Sequence, residues 1–184
     1  MQGQTRHAHF NNRWYQPGRN AVVRALWHSC NSFFLMSFLP GNAWRRALLR
    51  LFGASIGKGV VIKPRVNVKY PWNLSIGEHS WLGEGVWIDN LGKVQIGSNC
   101  CISQGALLLC GNHNYRKSTF DLMVGDITLE NGVWIGAKAL VCPGVTCHSH
   151  AVLSAGSVAT HNLEAYTIYS GNPAAAVRER KIEA

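Results

Sequence analysis

A six-residue period restricts the fold of this chain more than any other feature. An aliphatic residue, often followed by glycine, recurs at Ile56, Ile62, Ile76, Leu82, Ile88, Ile96, Ile102 and Leu108, and again at Leu129, Ile135, Val141, Cys147 and Leu153. An α-helix repeats its apolar face every ~3.6 residues and a strand every second residue, so neither carries a strict period of six. Short strands joined by tight turns do: three hexads make one triangular coil, and stacked coils bury a continuous aliphatic ladder. A glycine beside the aliphatic residue lets the backbone turn without a side-chain clash. Ile56, Ile76 and Ile96 stand 20 apart, which is three hexads plus two residues, whereas Leu129 and Cys147 stand 18 apart. About five coils fit between residues 56 and 170 at this spacing. A chance alternation in a β-sandwich does not hold register over a dozen hexads.

The flanks read differently. Residues 20–52 have helical spacing at Val23, Leu26, Trp27 and Cys30; Pro40-Gly41-Asn42 breaks it, and Asn42 is placed to cap a second helix from Ala43 to Phe52. The alanine-rich end, AAAVRERKIEA, predicts a short closing helix over 173–184. The expected organisation is a basic, partly helical segment over 1–53, the repeat over 54–172 with a loop at 109–126, and that terminal helix.

Charge divides the chain. Residues 1–77 hold 11 Lys and Arg and no acid, the first being Glu78, within a net charge of +9. No basic helix or aromatic nucleic-acid motif accompanies this, so nucleic acid is not an expected partner. Basic residues among the apolar runs FFLM and ALLRLF fit contact with an anionic membrane face; Arg45, Arg46 and Arg50 alternatively read as the solvated face of the second helix. The longest apolar stretch, Phe33 to Leu39, is far shorter than the ~20 residues that span a bilayer. The start shows no secretory pattern, and six cysteines without a CxxC pair read as free thiols, so a cytoplasmic protein, with a peripheral position at the inner membrane face, is expected.

The ladder is interrupted at length once, between Leu108 and Ile127, where a continuing coil needs only a few residues. A loop thrown out of a rigid prism is a natural place for chemistry. It carries His113 in GNHNY. Imidazole titrates near neutrality, which suits it to taking a proton from a hydroxyl.

The stretches YPWNLSIGEHSWLGEGVWIDN, VQIGSNCCISQGALLLCGNHNY, VWIGAKALVCPGVT, SAGSV and SGNPAAAVRER resemble the hexapeptide-repeat acetyltransferases. Within them they are most similar to the subgroup assigned to colanic acid biosynthesis, and more distantly to the maltose and galactoside O-acetyltransferases. The resemblance implies an all-β fold, a left-handed parallel β-helix. It also implies a homotrimer with acetyl-CoA as co-substrate, no metal, and a saccharide acceptor; the basic N-terminal segment, by its charge alone, adds the expectation that a lipid-linked saccharide at the inner membrane face is within reach. His113 matches the family's general base, and Asp89 in WIDN an acidic residue that binds sugar hydroxyls or steadies the base, with Asn90 beside it. Trp81 stands where the galactoside enzymes place a substrate-binding Asn, so acceptor recognition is expected to differ. The resemblance puts acetyl-CoA against Ala137, Ala155, Thr160, His161 and Arg178; His161 stands in place of a lysine, which weakens a phosphate contact.

Two rivals belong to other classes. A zinc hydratase of the gamma-carbonic-anhydrase type shares the repeat, and this chain has His79, His113, His148 and His150, but His113 lacks a second histidine close by in its loop. A non-catalytic scaffold docked on membranes is the other. No GxSxG motif or cysteine beside a histidine suggests a covalent nucleophile, which agrees with a single displacement.

Overall fold

The computed structural model describes residues 3–183; residues 1, 2 and 184, inside the two expected terminal segments, lie outside the described residues. The hexads form a three-sided parallel solenoid. Its first face stacks Ser55–Ile56, Leu74–Ile76, Val94–Ile96, Ile127–Leu129 and Thr146–Cys147. The second stacks Val61–Ile62, Trp81–Leu82, Cys101–Ile102, Trp134–Ile135 and Val152–Leu153, and the third Asn67–Val68, Trp87–Asp89, Leu107–Leu109, Leu140–Val141 and Val158–Ala159. Each face thus has the five rungs expected, and Thr167–Gly171 adds a sixth rung to the second. Registers run unbroken up the prism, Ile56 on Ile76 on Ile96 on Leu129 on Cys147 along the first face. These side chains are almost fully buried, as are Leu82, Ile102, Ile135 and Leu153 on the second face. At about 1.5–3 kcal/mol for each large aliphatic removed from water, this ladder is the main stabilising term.

The turn between the first and second faces holds a left-handed residue at every level: Gly59, His79, Asn99, Gly132 and His150. A Cβ on Gly132 would stand 2.2 Å from Nδ1 of His150, so the imidazole on one coil requires glycine on the coil beneath. His79 and His150 are therefore corner residues.

A helix at Ala21–Cys30 (α1), capped by Asn20, whose side chain accepts the amide of Val23 at 2.9 Å, continues into a π-helical turn, Asn31–Leu35. Trp27 is buried and donates from Nε1 to the carbonyl of Val68 at 2.9 Å, which fastens α1 to the third face. A second helix, Ala43–Leu51 (α2), lies at the first coil with Leu49 fully buried. Asn42 precedes it but makes no cap bond; its amide bridges the carbonyl of Val60 and the N–H of Ile62. An open solenoid end leaves backbone groups unpaired, and bonding these buried strand groups outweighs one helix cap. The same need corrects the reading of the arginines. Arg46 donates to the carbonyl of Val60 at 2.8 Å and Arg50 to that of Ile56 at 2.6 Å, while Arg45 is buried against the carbonyls of Leu39 and Gly41. Arg46 and Arg50 fasten α2 to the first coil, although Arg50 also stays exposed and Arg46 half-buried.

The expected C-terminal helix is also corrected. Ala174–Glu179 is a strand, paired antiparallel with Thr167–Gly171 through a turn at Gly171, φ +105°, and Asn172-Pro173. Alanine favours helix, but the sixth rung offers a bare strand edge, and pairing that edge satisfies more backbone than a free helical turn.

Candidate active site

The departures from the hexad period fall at one corner, where the third face turns back to the first. Residues 69–73 and 89–93 carry the extra residues of the 20-residue coils, and residues 111–124 leave the prism between the buried Cys110 and Gly125, which rejoins the stack against Gly144. The excursion is ordered as a hairpin, Gly111–His113 paired antiparallel with Leu122–Val124, so the irregular loop expected there is corrected. Cross-strand pairs and the Lys117–Asp121 ion pair, 2.8 Å, support it.

His113 sits opposite Leu122 in this hairpin. Its Nδ1 is 2.9 Å from the carbonyl oxygen of Phe120. A carbonyl only accepts, so Nδ1 carries a proton, and the tautomer of the uncharged ring that fits this contact is the one with a bare Nε2. The ring stacks on Phe120 at 4.4 Å and meets Phe10 at 5.6 Å. It opens into a cavity of about 660 Å³ that also involves Tyr15, Arg24, Lys69, Tyr70 and Leu91.

Phe10 belongs to a stretch that sequence reasoning left out of the site. Residues 5–18 run back across the hairpin. The N–H of Arg6 bonds the carbonyl of Ser118 at 2.7 Å, His7 packs edge-on against Phe120, Tyr15 donates to the carbonyl of Leu91 at 2.8 Å, and Trp72 donates to that of Pro17 at 2.7 Å. Burial, then the nearby Tyr70, Asp89 and Cys110, pushes the Tyr15 phenol well above its ordinary value, so it stays a donor. Only the aromatic spacing of Phe10, Trp14 and Tyr15 in an otherwise polar segment hinted at this packing.

Asp89 ends its strand at the same corner, nearly buried. Lys69 Nζ lies 2.8 Å from its Oδ1, an ion-pair contact out of hydrogen-bonding alignment, so that oxygen accepts no hydrogen bond. Asn90 is fully buried; its amide donates to the carbonyl of Tyr70 and accepts the Tyr70 N–H, closing the corner between coils. Trp81 is 55% exposed on the second face, in a cavity of about 460 Å³ that does not reach His113.

The second-face corner forms a separate groove of about 570 Å³. Ala137, Ala155 and Arg178 line it, with Trp134, Ile168 and Arg180. Ala137 and Ala155 follow successive rungs, so a column of small side chains leaves the backbone accessible. A register shift beside Ile168 and Tyr169 leaves Val177 unpaired, so Arg178 and Arg180 share the groove side with Ile168 while Ala176 pairs with Tyr169. Arg180 is anchored by bonds to the carbonyls of Gly132 and His150. Thr160 and His161, exposed and 2.9 Å apart, follow the last rung of the third face, at the corner that carries His113. The structure thus brings Ala137, Ala155 and Arg178 together, and leaves Thr160 and His161 on the other edge.

The histidines named for a zinc site serve apart: His79 and His150 at turns, His148 on Glu130 at 3.0 Å, His113 in the hairpin. Among the described residues no group of three or more His, Cys, Asp or Glu is placed to hold a metal ion, and no helix is long and apolar enough to cross a membrane.

A three-sided hexad solenoid with one histidine-bearing excursion defines the hexapeptide-repeat class. The chain is 38% identical over 164 residues to WcaF of Escherichia coli K12, provisionally named as a colanic acid biosynthesis acetyltransferase, covering 89% of this chain and 90% of that one. It superposes on a hexapeptide-repeat acetyltransferase of Vibrio cholerae, solved with acetyl-CoA, with a TM-score of 0.78 at 22% identity, covering 88% of each chain. On a galactoside acetyltransferase solved with coenzyme A the TM-score is 0.77 at 24% identity, covering 89% of each. No family model matches. The chain belongs to the hexapeptide-repeat acetyltransferases, in the branch that contains WcaF, and its fold is their left-handed parallel β-helix.

Proposed function

We propose that this acetyltransferase transfers the acetyl group of acetyl-CoA directly to a saccharide hydroxyl, in the making of an exopolysaccharide, with His113 as general base. The observation that carries the reading is the bond from His113 Nδ1 to the Phe120 carbonyl, which leaves Nε2 free to take a proton inside the hairpin cavity. As Nε2 removes the hydroxyl proton, the oxygen attacks the thioester carbonyl; the tetrahedral intermediate expels the CoA thiolate, which takes up the proton from the imidazolium. General-base help of this kind contributes roughly 10²–10⁴-fold.

The second-face groove, with its small side chains and Arg178, suits a pantetheine arm and a phosphate group. That groove and His113 occupy different corners of one prism, which supports a homotrimer in which one copy's histidine faces its neighbour's groove. Thr160 and His161, on the His113 corner, would then meet CoA from the opposite side to Ala137, Ala155 and Arg178. Asp89 is the acceptor-binding carboxylate of this reading, and Asn90 holds the backbone beside it. A cytoplasmic site of action, close to the inner membrane face, completes the proposal.

The test is thiol release from acetyl-CoA with a panel of nucleotide sugars and lipid-linked oligosaccharides, run beside His113→Ala. Acceptor-dependent release that the variant lacks supports the reading; release that is equal in both sinks it.

A further inference from the structure

We infer that the turn over residues 33–39 is a membrane-docking wedge that seats the protein on an anionic bilayer, beside the mouth through which the acceptor reaches His113. The inference rests on the saccharide-acceptor reading above. Phe33 and Phe38 are 74% and 70% exposed, and Phe34, Met36 and Leu39 are exposed with them in the same short turn. So dense an apolar projection marks a contact surface.

The projection is built, not frayed. Leu35 is fully buried beneath it, the N–H of Arg65 bonds the carbonyl of Ser37 at 3.3 Å, and the buried Arg45 guanidinium holds the carbonyls of Leu39 and Gly41. A buried arginine spent on the carbonyls of this stretch fixes its shape and keeps the phenylalanines turned outward, with only the Arg65 guanidinium over the Phe38 ring.

Charge selects the occupant. The Arg65 guanidinium lies over the Phe38 ring at 5.1 Å, Lys58 and Lys63 are exposed on the same first coil, and residues 1–77 contain no acid. A second copy docked face to face would set these cations against themselves, whereas an anionic lipid surface matches both the charge and the apolar tip. The wedge is also continuous with the site. A cavity of about 390 Å³ runs from Met36 in the turn and Ser32 just before it to Asp89, and it shares Arg24, Lys69 and Tyr70 with the cavity of His113. A saccharide carried on a lipid through an anionic link would keep its lipid in the bilayer beside Phe33 and pass its charge along Arg24 and Lys69.

The full-length protein is mixed with vesicles of phosphatidylcholine alone, or with about 30% phosphatidylglycerol, and sedimented. We expect binding to the anionic vesicles only, weakened at high salt and reduced at least tenfold by Phe33→Ser with Phe38→Ser, while acetyl-CoA binding stays unchanged. As a second measurement that does not depend on the polar variant folding, Phe38→Trp on anionic vesicles containing brominated lipid should show quenching beyond that of the native tryptophans. Wild-type protein that binds acetyl-CoA but stays in the supernatant with both vesicles overturns the wedge and leaves acetyl transfer standing. Undiminished vesicle binding by the double variant, absence of the added quenching, or a change in its oligomeric mass, which would make the turn a contact between copies, overturns it as well.

Discussion

The imidazole of His113 and the ring of Phe120 stack 4.4 Å apart with their planes 6° from parallel, while the carbonyl of the same Phe120 holds Nδ1 at 2.9 Å. One residue thus holds both the Nδ1 side and the orientation of the imidazole. His113→Ala should lower turnover by about 10²–10⁴-fold with acetyl-CoA binding unchanged. Phe120→Ala keeps the carbonyl and removes the stack, so kcat should fall several-fold with KM for acetyl-CoA held. Full turnover in His113→Ala would remove the imidazole from the mechanism.

The two halves of the proposed site lie on different corners, so inactive variants should complement. If the proposed trimer holds, His113→Ala and Arg178→Ala proteins, unfolded together and refolded as a mixture, should regain activity at about a quarter of their sites. Mixtures no more active than the separate variants would place the whole site in one chain.

Successive coils approach closely at Gly77. A Cβ there would stand 2.6 Å from both the carbonyl carbon of Gly97 and the N of Ser98, backbone atoms that cannot move aside singly. Gly77→Ala should destabilise by about 1–3 kcal/mol or more, read as a lower Tm. An unchanged Tm would show that coils separate more easily than their shared ladder implies.

Ile102 is fully buried between Leu82 below and Ile135 above, whereas Gln95 points outward from a strand of the first face. Ile102→Ala should cost about 2–5 kcal/mol in denaturant unfolding, and Gln95→Ala less than about 0.5 kcal/mol.

Burial pushes the thiols of Cys110 and Cys147 up to about 12. They stay protonated in the folded protein while the unfolded chain ionises above about 8.5, so the unfolded state binds fewer protons there and stability falls with rising pH. Tm should decline between about pH 8.5 and 12, and Cys147→Ala should flatten that slope. In the native state these two thiols should also resist a colorimetric thiol reagent.

The solenoid was legible because each coil repeats the same local problem. An aliphatic residue every sixth position has one consistent solution, and Ile62, Leu82, Ile102, Ile135 and Leu153 stack as their spacing requires. The excursion that carries His113 was legible for the complementary reason, since a strict period makes its own interruption conspicuous. The end of the chain was misread because AAAVRERK has helical propensity in isolation, while a bare strand edge at Thr167–Gly171 is visible only once the last coil is built.

Residue order by itself therefore determined the prism, its register and the place where the chain leaves it, because stacking depends on near neighbours one coil away. Tertiary structure alone decided that residues 5–18 cross the hairpin to put Phe10 against His113, that Asn90 spends its amide on Tyr70, and that Arg45 is buried. Those outcomes satisfy backbone groups and aromatic faces contributed from distant parts of the chain, which no local pattern records.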